Sequence, residues 1–300
     1  MREHLKSFLD HLVVEKGVSR LTIAAYKRIL GDFFKRLESS GISSLSAVDR
    51  PLIGEMMAMM RRSGKEASTI RGFFYCLRSF YGFLETERLI RVNPIAVMEA
   101  PKIERKLPQF LTALEMQAIL AISNRDTPMG LFRAAVLEFL YATGCRVSEL
   151  CNLEYANIDL KARSGTLIGK GDKERPFFFH KRCANTLSEY VERLRSKRPG
   201  SRYFFTGFKR KKRGHKPISA RQIGRIVTEA SKKAGITKRV SPHTIRHAFA
   251  THLLAGGADL RVCQELLGHS DISTTEIYTH VDLTALKKTH ERFQGRVALN

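Results

Sequence analysis

The chain has 300 residues, 43% of them apolar, which is enough for one large or two modest domains with real cores and excludes general disorder. Lys and Arg outnumber Asp and Glu by 52 to 29, giving a formal charge of +23. So large an excess indicates a polyanionic partner, nucleic acid first and a membrane surface second, but charge alone does not identify a reaction.

Residues 1–88 predict a helical first domain that begins with three amphipathic helices. The apolar stripes of the first two end at Gly17 and Gly41, and glycine is the residue that most often follows a helix C terminus. Ser19 is placed to cap the second helix. A third helix is expected from Asp49 to about Gly64, with a proline in its first turn.

The fourth helix of this domain carries an apolar, largely aromatic stripe between Ile70 and Leu84. On another side, two turns apart, lie Arg71 and Arg78. Either arginine alone could belong to a solvated face. In so basic a protein, the two are predicted to follow a phosphate backbone and so to contact DNA.

Residues 89–111 interrupt the helical pattern. Three prolines are interleaved with basic residues there, namely Pro94, Pro101, Pro108, Lys102, Arg105 and Lys106. This composition predicts an extended, basic linker between two domains. A second domain, residues 112–300, then opens on the capping-box sequence Thr112 to Glu115.

The second domain is predicted to be helical apart from one small sheet. Thr166–Ile168 and Arg175–Phe179 have strand composition and flank the turn Gly169–Asp172. The basic run from Lys209 to Lys216 is predicted to be a loop. The expected fold class is therefore mainly α: a helical N-terminal DNA-binding domain plus an α-rich second domain with a small three-stranded β-sheet.

Cysteine usage and hydropathy bear on the compartment. The five cysteines are scattered without a C-x-x-C pair, which predicts reduced thiols and neither a disulfide framework nor a metal site. The most apolar stretch, Leu131 to Ala142, is too short to span a bilayer. A cytoplasmic protein with no membrane partner is expected.

Six residues of the second half are candidates for chemistry: Arg146, Lys170, His243, Arg246, His269 and Tyr278. Each has an ordinary structural interpretation. A lone histidine or tyrosine is more often a satisfied structural group, Arg146 could pair with Glu149, and Lys170 could be an exposed turn residue. The significance of the six lies in the set.

As a set, these residue types fit the cleavage of a phosphodiester. Two guanidiniums can grip the non-bridging oxygens and stabilise the extra charge of a pentavalent transition state. An imidazole can take the proton of a phenol whose pKa is about 10, and an ammonium can return a proton to the leaving oxygen. Such a site would need no metal and no other cofactor.

The order and spacing of four motifs resemble the tyrosine recombinases, most closely the Xer group, over nearly the whole chain. The motifs are Thr143-Gly144-Cys145-Arg146-Val147-Ser148-Glu149-Leu150, Gly169-Lys170-Gly171-Asp172-Lys173-Glu174-Arg175, His243-Thr244-Ile245-Arg246-His247, and Leu266-Leu267-Gly268-His269 with Ile277-Tyr278-Thr279-His280. Two small departures, the aromatic residues after Pro176 and Ile245 in place of leucine, affect none of the six candidates.

The resemblance implies a role for each candidate. Arg146 and Arg246 match the arginines that grip the phosphate, and Lys170 matches the hairpin general acid. His243 matches the histidine of proton transfer and His269 the second histidine, which bonds the phosphate. Tyr278 matches the nucleophile, which forms a 3′-phosphotyrosyl link. Lys173 and Arg175, beside the hairpin lysine, are further expected contacts with DNA.

The same resemblance implies partners. The substrate would be a double-stranded DNA site, and a helix near 286–293 would dock into a neighbouring protomer, giving a homotetramer or a heterotetramer with a related recombinase. In addition, the resemblance implies a division-associated DNA translocase as a partner, because such a translocase commonly activates members of the Xer group. Resolution of chromosome or plasmid dimers is the expected role. An integrase of a mobile element, a type IB topoisomerase and a catalytically dead DNA-binding regulator remain alternatives.

Overall fold

The computed structural model describes residues 1–102, 110–169, 174–197, 200–211 and 214–268. The chain divides into two compact units, Met1–Leu107 and Pro108–Asn300, each with its own hydrophobic core. The predicted class, mainly helical with a small three-stranded sheet, is confirmed. Part of the expected linker, residues 103–109, lies outside the described residues, so the limits 1–88, 89–111 and 112–300 stay a prediction.

The first unit contains four helices, as the sequence predicts: α1 (Arg2–Val14), α2 (Arg20–Ser39), α3 (Arg50–Arg62) and α4 (Ala67–Thr86). The Ser19 hydroxyl caps α2 by accepting from the Thr22 amide, and the Asp49 carboxylate caps α3 in the same way. Each such cap is worth about 1 kcal/mol. The core between the helices is rich in buried aromatic rings, Phe33, Phe74 and Phe80 among them.

The second unit is built around one buried helix. The α-helices among its described residues are α5 (Ala113–Ala121), α6 (Pro128–Thr143), α7 (Val147–Asn152), α8 (Lys181–Tyr190), α9 (Ala220–Lys233), α10 (Pro242–Ala255) and α11 (Leu260–Leu267). Every residue of helix α6 from Gly130 to Thr143 except Arg133 is buried, and the helix contacts α5, α8, α9 and α10. The predicted capping box between Thr112 and Glu115 is present at the start of α5.

A three-stranded antiparallel sheet lies beside these helices in the order β1 (Ile158–Asp159), β2 (Ser164–Ile168) and β3 (Glu174–Phe178). In its register Leu167 pairs with Arg175, and Ile168 pairs with Glu174. The candidate Lys170 falls in the chain between β2 and β3 and lies outside the described residues.

The prediction of a loop for the basic run Lys209–Lys216 is wrong. Strands β4 (Thr206–Lys211) and β5 (Gly214–Pro217) pair antiparallel across this segment. The ladder starts at buried residues, since the Ile218 amide donates to the Phe205 carbonyl at 3.0 Å and Thr206 pairs with Pro217. The loop was predicted from the charge of the side chains. Strand pairing uses backbone hydrogen bonds, and here it is set by the buried residues at the start of the ladder, so it does not depend on that charge.

All five cysteines are free thiols, four of them buried and Cys151 half-buried. Burial raises the pKa of the Cys76 and Cys145 thiols to about 12 and that of Cys151 and Cys263 to about 11. The pKa of the Cys183 thiol is also raised well above its ordinary value by burial. Among the described helices, none has the length and apolar character that a membrane crossing requires.

Candidate active site

The first arginine of the candidate site, Arg146, is placed by the end of α6. Gly144 ends that helix in the left-handed region, with φ 55°, and turns the chain so that Arg146 begins α7. The Arg146 amide donates to Glu149 Oε2 at 2.8 Å, and its guanidinium Nη1 donates to Glu149 Oε1 at 2.9 Å. Both groups of the residue are thus fixed by one carboxylate.

Helix α10 carries His243 and the second arginine, Arg246, one turn apart, as the sequence predicts. Ser241 caps the helix and Pro242 opens its first turn, where His243 is exposed. Arg246 is 7% exposed. Its guanidinium donates to the carbonyl of Gly144 at 2.7 Å, so the two arginine-bearing segments are joined directly.

Helix α10 is also fastened to the start of the second unit through His252. The imidazole Nε2 lies 2.9 Å from the Leu111 carbonyl, and Nδ1 lies 3.0 Å from the Tyr141 hydroxyl. Because a carbonyl only accepts, Nε2 carries the proton and Nδ1 accepts from Tyr141. Burial lowers the pKa of His252, which favours this neutral form, although the Leu111 carbonyl opposes the shift.

Three guanidiniums meet the C-terminal end of α11, where the helix leaves its last carbonyls without intrahelical partners. Arg175 donates to the Leu266 carbonyl, Arg246 to that of Leu267 at 2.6 Å, and Arg146 to that of Gly268 at 2.7 Å. Cations are favoured at this negative end of a helix dipole. The arrangement gathers residues from α10, β3 and the start of α7 at one point of the fold.

Arg175 and Glu149 form the inner part of this cluster, and both are buried. Arg175 Nη2 lies 2.7 Å from Glu149 Oε2, while its Nε donates to Oε1 at 3.4 Å. From its position beside Lys170, Arg175 is expected to contact DNA, whereas the sequence gives Glu149 no role beyond a pair with Arg146. A signal was present: Arg175 and Phe177 share one face of a strand, and phenylalanine favours the buried face.

The electrostatics of the cluster favour an anion. Burial, reinforced by the charges of Arg146 and Arg175, lowers the pKa of Arg246 to about 10, which leaves it charged at neutral pH. Burial would raise the pKa of Glu149, but hydrogen bonds and charge from Arg175 and hydrogen bonds from Arg146 lower it below its ordinary value. Among the described residues of the cluster, three guanidiniums thus lie with one ionised carboxylate, which leaves a net positive charge.

Four predicted site residues, Lys170, Lys173, His269 and Tyr278, lie outside the described residues. Gly268, whose carbonyl accepts from Arg146, is the residue before His269. In the part of the chain that is described, no group of three or more His, Cys, Asp or Glu side chains is placed to hold a metal ion.

Arg71 and Arg78 lie on α4 in the first unit, both exposed. The Arg71 guanidinium lies 5.5 Å from the centre of the Tyr75 ring. Arg78 lies 4.8 Å from the centre of the Phe74 ring and donates to the Met98 carbonyl at 2.5 Å. Their expected contact with DNA stays a prediction.

Two family models match the chain. Residues 109–284 match the model described as phage integrase family, and residues 5–88 match the one described as phage integrase, N-terminal SAM-like domain. Together they account for most of both structural units.

Individual relatives agree with the family models. The chain is 38% identical to the tyrosine recombinase XerD of Listeria monocytogenes over 99% of its own length and 100% of that protein. A lambda integrase (75–356) dimer bound to a COC′ core site aligns with TM-score 0.71 at 19% identity, over 94% of this chain and 99% of the other. A lambda integrase tetramer bound to a Holliday junction aligns with TM-score 0.69 at 19% identity, over 92% of this chain and 80% of the other.

Proposed function

Because the chain belongs to the phage integrase family and is a tyrosine recombinase, we propose that it breaks DNA by attack of the Tyr278 phenol on a phosphodiester. It is an enzyme, a site-specific recombinase. Attack at phosphorus forms a 3′-phosphotyrosyl bond and releases a 5′ hydroxyl. The 5′ hydroxyl of a partner strand then attacks the same phosphorus and frees the tyrosine. Each step exchanges one phosphate ester for another, so the reaction needs no ATP.

Arg146 and Arg246 are proposed to bind the scissile phosphate. The observation that carries this proposal is that their guanidiniums lie on neighbouring carbonyls, those of Gly268 and Leu267. Hydrogen bonds between described residues use two of the five N–H donors of each guanidinium, so further donors remain for phosphate oxygens. Fixed donors of this kind stabilise the charge that develops in a phosphoryl-transfer transition state.

The remaining catalytic residues are proposed to move protons. His243, in the exposed first turn of α10, would take the proton of the Tyr278 phenol, whose usual pKa of about 10 keeps it protonated at neutral pH. Lys170, which follows β2 in the sequence, would protonate the leaving 5′ oxygen. His269 follows the helix end on which the arginines converge, and would donate to the phosphate.

The substrate is proposed to be a double-stranded DNA site held by four protomers. The formal charge of +23 suits a protein that neutralises many phosphates. Arg71, Arg78 and Lys173 are proposed contacts with the backbone of the duplex. A tetramer, formed by this chain alone or with a related recombinase, is supported by the lambda integrase tetramer bound to a Holliday junction.

The biological role is proposed to be resolution of chromosome or plasmid dimers in the cytoplasm. This proposal is supported by the XerD name of a relative that matches the chain end to end. A DNA translocase associated with cell division is the proposed activating partner.

The nucleophile is tested with a duplex selected by the wild-type protein from a random pool and then nicked beside the cleavage position. The nick lets the freed fragment diffuse away, so the covalent adduct accumulates and is seen on a denaturing gel. Tyr278→Phe is expected to form no adduct while its Kd for the duplex stays near that of the wild-type protein. Tyr155→Phe, which alters an exposed tyrosine of the same unit, is the control and should form the adduct.

An adduct that persisted in Tyr278→Phe would show that another residue is the nucleophile. Wild-type protein that bound the selected duplex without forming an adduct would be a DNA-binding regulator. Relaxation of supercoiled plasmid without strand exchange would favour a type IB topoisomerase.

A further inference from the structure

Arg175 differs from the other two arginines of the cluster in how its donors are used. Its side chain is 8% exposed, against 39% for Arg146. Nη2 and Nε hold both oxygens of Glu149, and Nη1 holds the Leu266 carbonyl. Each of the three nitrogens of this guanidinium therefore has a partner within the protein. Because the side chain is also buried, the two N–H groups that remain are poorly placed to reach a phosphate.

The partners of Arg175 are the groups that fix the proposed phosphate-binding residues. Glu149 holds the backbone amide and the guanidinium of Arg146. The Leu266 carbonyl precedes the two carbonyls to which Arg246 and Arg146 donate. Arg175 thus bonds both Glu149, which fixes Arg146, and the end of α11, to which Arg146 and Arg246 donate.

Arg175 also packs against the backbone at the end of α11. Gly268 has φ 62°, and a Cβ built on it would lie 2.7 Å from Arg175 Cδ. Only glycine combines this left-handed conformation with so close a neighbour. Because Arg175 is the second residue of β3, it ties the strand that follows Lys170 in the sequence to the helix that precedes His269.

We propose that Arg175 is a positioning residue for strand cleavage, which aligns Arg146 with the end of α11 by holding Glu149 and the Leu266 carbonyl. The proposal rests on the function proposed above. It replaces the expectation, drawn from the sequence, that Arg175 contacts DNA. A planar, three-nitrogen fork is required, since lysine supplies a point charge that cannot hold a carboxylate bidentately and a carbonyl at once.

The test compares Arg175→Lys and Arg175→Met with the wild-type protein on the selected, nicked duplex. Two quantities are measured: the Kd at several salt concentrations, and the single-turnover rate constant for adduct formation at saturating protein. For both variants the rate constant is expected to fall on the order of 100-fold, the loss that a displacement of about 1 Å can cause. The Kd should change by less than about threefold at each salt concentration, and the slope of log Kd against log salt should stay the same, since no phosphate contact is lost.

Arg133→Lys and Arg133→Met are the matched controls. Arg133 also pairs with a carboxylate of the same unit, Glu229 at 2.9 Å, and its bond does not involve α11. Both controls should cleave at the wild-type rate. The rate constant is measured at saturation because a loss of folded protein lowers the amount of adduct and leaves that constant unchanged, which separates alignment from stability.

Three results would overturn the proposal. If Arg175→Lys cleaves and binds like the wild-type protein, the fork is not needed. If Arg175→Met binds more weakly, with a salt slope smaller by about 0.9 and an unchanged rate constant, the residue is a phosphate contact. If the Arg133 variants lose as much rate, the effect is not specific to the cluster. Absence of adduct from the wild-type protein would instead refute the proposed function.

Discussion

Glu149 supplies a negative charge within a group of three guanidiniums. Its carboxylate is 1% exposed and bonds both Arg146 and Arg175. A buried carboxylate of this kind is tolerated only because its partners offset the loss of hydration. Arg175 depends on Glu149 in the same way. Without the carboxylate, this buried guanidinium would keep, of the contacts described above, only its bond to the Leu266 carbonyl.

Glu149→Gln is therefore expected to lower the free energy of unfolding at pH 7 by about 3–5 kcal/mol, the range for a buried pair that loses one member. Glu229→Gln, which removes a carboxylate that is 41% exposed, should cost at most about 1 kcal/mol. Urea unfolding of the three proteins measures both effects. Equal losses in the two variants would show that burial does not govern the Glu149 interaction.

The pKa of Glu149 adds a pH dependence to the same comparison. Because its pKa is lower in the folded protein than the ordinary value of 4.5, ionised Glu149 stabilises the fold fully above that pH. The contribution is lost as the pH falls through the lower, folded value. The gap between wild type and Glu149→Gln should thus be constant near neutrality and narrow below about pH 4.5.

Individual residues of the site could be predicted only in part. Residue type and spacing predict Arg146, His243 and Arg246 as site residues, and His243 and Arg246 lie three apart on one helix, which brings them to one side. The convergence of Arg146 and Arg246 on the end of α11 could not be derived, since Arg146 and the Gly268 carbonyl are 122 positions apart. The burial of Arg175 was missed because its charge, taken alone, indicates an exposed residue.

At the scale of elements, the turn from α6 to α7 positions the cluster. Gly144 ends α6 in the left-handed region, and a Cβ there would lie 2.3 Å from the Phe249 ring on α10. The carbonyl of the same residue accepts from Arg246. The close approach of α6 and α10 that this bond requires is possible only without a side chain at position 144.

Gly144→Ala is expected to destabilise the protein by about 1–2 kcal/mol through its backbone conformation and by a further ~1–3 kcal/mol through overpacking against Phe249. Gly235→Ala isolates the first effect, because Gly235 has φ 72° and no heavy atom within 4 Å of a built Cβ. The difference between their unfolding free energies in urea measures the contact. Equal losses of unfolding free energy in the two variants would show that α10 shifts to accommodate the added methyl group at no cost.

Elements with a local signal were predictable, and those set by distant contacts were not. Caps such as Ser19, Asp49 and Thr112 mark helix starts by a hydrogen bond within three residues, so the sequence suffices to place them. The hairpin of β4 and β5 has no such mark. Its pairing follows from the burial of Phe205 and Ile218 in the core of the unit, a tertiary effect.

The charge of the whole molecule determines how the protein should bind DNA. With a formal charge of +23, association is driven largely by the release of counterions from the duplex. For about 6–10 neutralised phosphates, the Kd should rise roughly 10³–10⁵-fold between 50 and 200 mM salt. Fluorescence anisotropy with the selected duplex gives this slope, and a flat salt profile would refute DNA as the partner.

The five buried or half-buried thiols have a practical consequence for watching the enzyme at work. A thiolate is the form that attacks maleimide dyes. Burial raises the pKa of four of the thiols to about 11 to 12 and that of Cys183 well above its ordinary value, so all five hold almost no thiolate at neutral pH. A cysteine introduced at an exposed position would therefore be labelled selectively with the native five in place. Fluorescence resonance energy transfer between labelled protomers could then follow assembly on DNA in an otherwise unaltered protein.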